Sequence, residues 1–136
     1  MNLSKRDRAY FRSAQAVSEL SDFRLHVGCV VVDKHRIISS GFNREKGHPM
    51  QAQMDRATFN CIDCLGKQHA EFSALLPLIK QKVNLSGATI YTYREKKDGT
   101  LGMARPCSRC MSLIKSCGIK RIKYTTDDGF ASEVLI

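Results

Sequence analysis

The chain has 136 residues, of which 43% are hydrophobic and 26% charged, with a formal charge of +9. That is about one domain's worth of chain, read as a single domain over residues 1–136, with enough apolar content for one core. No run is apolar enough to span a membrane, and the charged N-terminus lacks the apolar stretch of a secretory leader, so a cytoplasmic location is expected.

From Ser4 to Leu20, Tyr10, Phe11, Ala14, Val17 and Leu20 fall on one helical stripe. LHVGCVVVD and HRIISSGFN read as two strands rich in Val and Ile, turning near Lys34. The next stretch, REKGHPMQAQMDRATFNCIDCLGKQ, has no clean period and reads as a long loop, usually a functional feature in a small domain. HAEFSALLPLIKQK is helical in pattern, with Pro77 expected to bend or end it. GATIYTYR is a strand and EKKDGTLGM a turn-rich connector. CSRCMSLIKSCG is a helix stopped by Gly118, IKRIKYTT a strand, and FASEVLI a last strand or short helix. Helices interleaved with strands on one short chain predict an α/β sandwich around a central sheet.

The chemistry concentrates in two places. Cys107 and Cys110 form C-x-x-C just after Pro106, at a helix start. There the unpaired N–H groups and the positive dipole end favour a thiolate. Alone, this pair reads equally as half a zinc site, a redox dithiol or two buried thiols. With reducing surroundings expected, the six cysteines are metal ligands or core residues and not a disulfide framework. Upstream, His69 also opens a helix, and Glu71 follows two residues later. Two thiolates and one imidazole make three ligands for zinc and leave a fourth position for water, the pattern of a catalytic site. A carboxylate such as Glu71, beside that position, suits proton transfer.

HAE followed by PCSRC resembles the H-x-E…P-C-x-x-C signature of zinc-dependent cytidine and deoxycytidylate deaminases and their relatives that act on bases in nucleic acids. SSGFNREKGHP is similar to the segment after that family's second strand, and the resemblance covers most of the chain, with a likeness to small phage deaminases. It implies a cytidine deaminase-like three-layer α/β/α sandwich around a mixed central sheet. It implies Zn2+ held by His69, Cys107 and Cys110, with Glu71 as proton shuttle. It places Asn43 on the substrate sugar or base, and it implies a homo-oligomer. The Ala70 N–H could hold the pyrimidine carbonyl. Arg109, between the ligands, either tunes the metal or is a solvated helix residue.

The 22 basic and 13 acidic residues are spread evenly along the chain, which suits an anionic ligand without naming it. Near the motifs, Arg44, Lys46 and Arg105 are candidates for a substrate phosphate, within a basic neighbourhood that also holds His48, Arg94, Lys96 and Lys97. Cys61 and Cys64 form another C-x-x-C, a candidate for half of a second zinc site with His48, Cys29 or Cys117 as partners. Cys29 and Cys117 are most simply core residues. The reaction expected is hydrolysis of a cytosine nucleotide, deoxycytidylate to deoxyuridylate with loss of ammonia. The alternatives are a deaminase of cytosine or adenine in single-stranded DNA, RNA or tRNA, and a non-catalytic zinc module closed by Cys61, Cys64, Cys107 and Cys110.

Overall fold

The computed structural model describes residues 3–22, 25–44 and 69–135. Ser4 starts the first helix, α1 (Lys5–Ser18), through a capping box: its hydroxyl accepts from the Asp7 N–H, and its own N–H donates to the Asp7 carboxylate. The helix stops two residues short of Leu20, which lies outside the expected stripe and is 65% exposed. β1 (His26–Asp33) and β2 (Arg36–Phe42) follow as an antiparallel pair, joined by a turn in which Lys34 and His35 both take positive φ.

After α2 (Ala70–Lys80) come β3 (Thr89–Glu95), α3 (Ser108–Ser116), β4 (Arg121–Thr126) and β5 (Gly129–Val134). The last segment, open between strand and helix in the sequence, is a strand. It pairs antiparallel with β4 through a tight turn at Asp127 and Asp128. Pro77 lies inside α2 on its exposed side, and the helix runs three residues past it.

The five strands order as β2-β1-β3-β4-β5, with β3 and β4 parallel and the other neighbours antiparallel. Alternation along β1 and β3 sends side chains to two cores. Val30, Val32, Tyr91 and Tyr93 pack against Phe11 and Ala14 of α1. Cys29, Val31, Ile90 and Ile122 pack against α2 and α3 through Ala74, Leu75, Met111 and Ile114. The result is the expected three-layer α/β/α sandwich around a mixed sheet. Tyr91, Tyr93 and Phe130 lie in or against the α1-side core, so they are packing residues.

Two placements fix the functional end. α3 joins the parallel strands β3 and β4, so its N-terminus sits just beyond the C-terminal end of β3. α2 joins β2 and β3, both antiparallel to β1, and its N-terminus falls at the same end of the sheet, where α/β sheets bind their ligands. Contact between β2 and α2 is backbone on backbone. A Cβ at Gly41 would fall 2.4 Å from Ala74 N and 2.6 Å from Ala70 O, and the Ser39 hydroxyl donates to Ala74 O at 2.6 Å. No helix among the described residues is long and apolar enough to cross a membrane.

Candidate active site

His69 and Cys107 occupy the same position on their helices. Each is the N-cap residue, in extended backbone conformation, and neither side chain caps its own helix. The two side chains turn toward each other across the converging helix ends. His69 Nδ1 lies 3.8 Å from Cys107 Sγ and 3.5 Å from Cys110 Sγ. The donor atoms of His69, Cys107 and Cys110 all fall within 4.8 Å of one another, and theirs is the only such cluster found among the described residues. This donor set suits zinc, which takes thiolate and imidazole ligands together.

Of the three groups, Cys107 alone is shifted toward the deprotonated form a metal takes. The Cys107 thiol is pushed down to about 3 by the hydrogen bond from Cys110, against the opposing effect of burial and with help from His69. Cys110 is pushed up by that same contact with Cys107, by its burial and by Glu71, so one sulfur carries the charge and its neighbour the proton. Burial works to lower the His69 pKa, but contact with Cys107 and the nearby Glu71 charge outweigh it, and the net shift is upward. Glu71, one residue into α2, is 5% exposed. Burial holds its carboxyl above the usual range, against the pull of His69.

A cavity of about 240 Å3 opens beside the cluster, lined by His69, Ala70, Glu71 and Cys107. Ala70 begins α2, where the first-turn N–H groups have no helical acceptor. Asn43, Arg44, Arg94 and Arg105 complete the polar part of the lining.

A family model, the cytidine and deoxycytidylate deaminase zinc-binding region, matches residues 4–126. The chain belongs to that family. It is therefore an enzyme of the zinc-dependent deaminase type, and zinc is its cofactor. The deaminase resembles the dCMP deaminase of cyanophage S-TIM5 at 26% identity and TM-score 0.64, over 93% of this chain and 86% of that one. The cytidine deaminase of Burkholderia pseudomallei shares the fold at 16% identity and TM-score 0.65, over 97% and 93% of the two chains. No curated protein matches by sequence.

Other expected residues take varied positions in this deaminase. Asn43 lines the cavity but spends its side chain on the backbone: Oδ1 accepts from Val27 N at 2.9 Å and Nδ2 donates to Leu25 O at 2.5 Å. Arg44 stacks 4.7 Å above the Phe42 ring. Arg105 is paired with Glu133, Nε to Oε2 at 2.7 Å and Nη2 to Oε1 at 3.1 Å. Lys46, His48, Cys61 and Cys64 lie outside the described residues. Cys29 is fully buried in the core, and Cys117 is half-buried at the end of α3.

Two residues carry more than the sequence credited to them. Arg109 is 5% exposed, not solvated, and its Nη2 lies 2.9 Å from His69 Nε2 and 3.5 Å from Cys107 Sγ. Its position one residue before a candidate ligand cysteine was the available signal. Arg94, read only as part of a basic neighbourhood, belongs to the cavity wall.

Proposed function

We propose that the protein hydrolyses the exocyclic amine of a cytosine nucleotide, with deoxycytidylate as substrate and deoxyuridylate and ammonia as products. The observation that carries this reading is a single cavity whose lining joins the buried Glu71 carboxyl and two of the metal-ligand candidates to three arginines. An uncharged nucleoside gives those arginines nothing to bind, whereas a phosphate monoester suits them. The similarity to the cyanophage enzyme supports the choice, and a second structure of that enzyme is a complex with dCMP and dUMP.

In this reading His69, Cys107 and Cys110 hold the zinc. Bound there, zinc supplies a Lewis acid that makes water a nucleophile near neutral pH. Glu71 takes the proton from the attacking water, passes it to the ring nitrogen beside the reacting carbon, and later serves the departing amine. Its raised pKa suits a group that must hold a proton in mid-reaction. The first-turn Ala70 N–H donates to the pyrimidine carbonyl. Asn43 acts mainly by fixing the 25–27 backbone, and its second amide N–H is the one left for substrate.

The test is a parallel mass-spectrometric assay of zinc-loaded protein. It presents deoxycytidine, deoxycytidylate, and single-stranded oligonucleotides bearing one cytosine or one adenine. Faster conversion of deoxycytidylate than of the others is expected. Turnover confined to an oligonucleotide overturns the reading and reassigns the arginines to a strand-binding groove.

A further inference from the structure

We propose that Arg94 is the residue that recognises the substrate phosphate, and that Arg105 is withheld from that task by Glu133. This rests on the nucleotide reading above. The three arginines of the cavity are not equivalent. Arg105 gives two nitrogens to both oxygens of Glu133, and Glu133 Oε2 also accepts from the Tyr124 hydroxyl at 2.6 Å. A phosphate would have to displace a matched bidentate carboxylate to reach it.

Arg94 is in the opposite condition. Its Nη1 donates to the Met103 carbonyl at 3.3 Å, while its Nε is buried and has no hydrogen-bond partner. A guanidinium presents two edges that can hold an oxyanion with two parallel bonds. Binding of Nη1 to Met103 leaves the Nε–Nη2 edge, and a dry unpaired donor on that edge costs free energy until something accepts from it. A phosphate oxygen is such an acceptor; Nε is covered, so the guanidinium must turn this edge toward the cavity it lines, the one that reaches Glu71. Arg44, stacked on Phe42, adds a second positive charge to the same lining.

The fold holds Arg94 in this pose. The connector after β3 turns back on itself, with Lys96 N donating to Thr100 O at 2.8 Å and Gly102 N to Arg94 O at 2.9 Å. Thr125, fully buried on β4, ties the two together: its hydroxyl accepts from Arg94 N at 3.0 Å and donates to Gly102 O at 2.7 Å. The Arg94 side chain then lies across Gly102. A Cβ there would come within 3.1 Å of both its Cδ and its Nε. Gly102 is thus a positioning residue for the guanidinium, and a methyl group at that position would shift it by a few tenths of an ångström.

The experiment compares kcat/KM for deoxycytidylate with that for deoxycytidine in the zinc-loaded native protein and in Arg94→Gln, Gly102→Ala and Arg105→Gln. The native protein should prefer the monophosphate. In Arg94→Gln that preference should fall on the order of tenfold or more, the loss appearing in KM. Gly102→Ala should lower it in the same direction while keeping the charge. Arg105→Gln should change it far less. A native protein with no preference for the monophosphate sinks the nucleotide reading itself. A native preference that survives both Arg94→Gln and Gly102→Ala, or that falls most in Arg105→Gln, overturns the assignment of Arg94 alone. Circular dichroism of each variant separates misfolding from a lost contact, and Gly102→Ala decides the matter should Arg94→Gln fail to fold.

Discussion

Arg109 Nη2 lies 2.9 Å from His69 Nε2, so the outer nitrogen of the proposed metal-ligand histidine faces a cation. Such histidines ordinarily donate that nitrogen's proton to a carboxylate or carbonyl. Arginine can only donate, so here Nε2 accepts, and a neutral ring then carries its proton on Nδ1, which must shed it to ligate a metal. The contact holds the ring with Nδ1 toward the two sulfurs. Arg109 also reaches the Cys107 sulfur at 3.5 Å. Replacing Arg109 with leucine should therefore weaken zinc retention by roughly tenfold or more. Competition with a chromogenic chelator measures this directly. Zinc held equally well by Arg109→Leu would show that the contact is packing alone.

Glu71 is the second group whose role separates from metal holding. It is buried beside the cluster but lies outside the set of three converging donor atoms. Glu71→Gln preserves shape and removes the proton-transfer group. Turnover should fall by about 10²–10⁴-fold, the usual worth of a positioned general acid–base. Bound zinc, measured by elemental analysis, should stay at the native ratio. Loss of zinc in this variant would make Glu71 a ligand and undo the assignment.

Gly41 couples the sheet to both functions. α2 can carry His69 and Glu71 to the site only because β2 presents no side chain at this position. A Cβ there would fall 2.4 Å from one α2 backbone atom and 2.6 Å from another. Gly41→Ala must lift the helix or bend the strand, a strain typically worth about 1–3 kcal/mol. Chemical denaturation should show that loss, and zinc retention should fall with it. Native stability and native zinc affinity together would mean that the helix tolerates a shift at its first turn.

Much of this arrangement is legible in the sequence because it is local. The helical period read over residues 4–20 and the runs of Val and Ile are short-range signals, and they gave the right elements. HAE and PCSRC mark the proposed ligands because both stand at helix starts, where spacing translates directly into position. What stayed hidden depends on partners far along the chain. Arg105 and Glu133 are 28 residues apart, and nothing in either segment announces the pair. Asn43 reads as a substrate contact, yet its amide binds backbone 16 and 18 residues away. Arg109 on a short polar helix reads either as a metal-tuning group or as a solvated residue until α2 is laid against it. FASEVLI is ambiguous because seven residues of mixed polarity fit an edge strand and a short helix alike.

Asp7 shows the same limit and gives the pH prediction. It caps α1 yet is only 6% exposed, and it accepts from the Tyr91 hydroxyl at 2.6 Å and from Lys123 Nζ at 2.8 Å. Burial alone would raise its pKa. The bonds from Lys123 and Tyr91 outweigh burial and leave it below the ordinary 3.8. A carboxyl whose pKa is depressed by folding stabilises the fold above its unfolded value, and that contribution disappears as pH falls through the lower folded value. Asp7→Asn leaves the Lys123 ammonium half-buried without its carboxylate, at a cost of about 1–3 kcal/mol near pH 7. Denaturant midpoints of the two proteins should differ most above about pH 5 and converge as pH falls through the lowered folded value, below which Asp7 is protonated in both states. A gap that stays constant across this range would mean that the Asp7 charge contributes nothing, and that the amide merely packs less well.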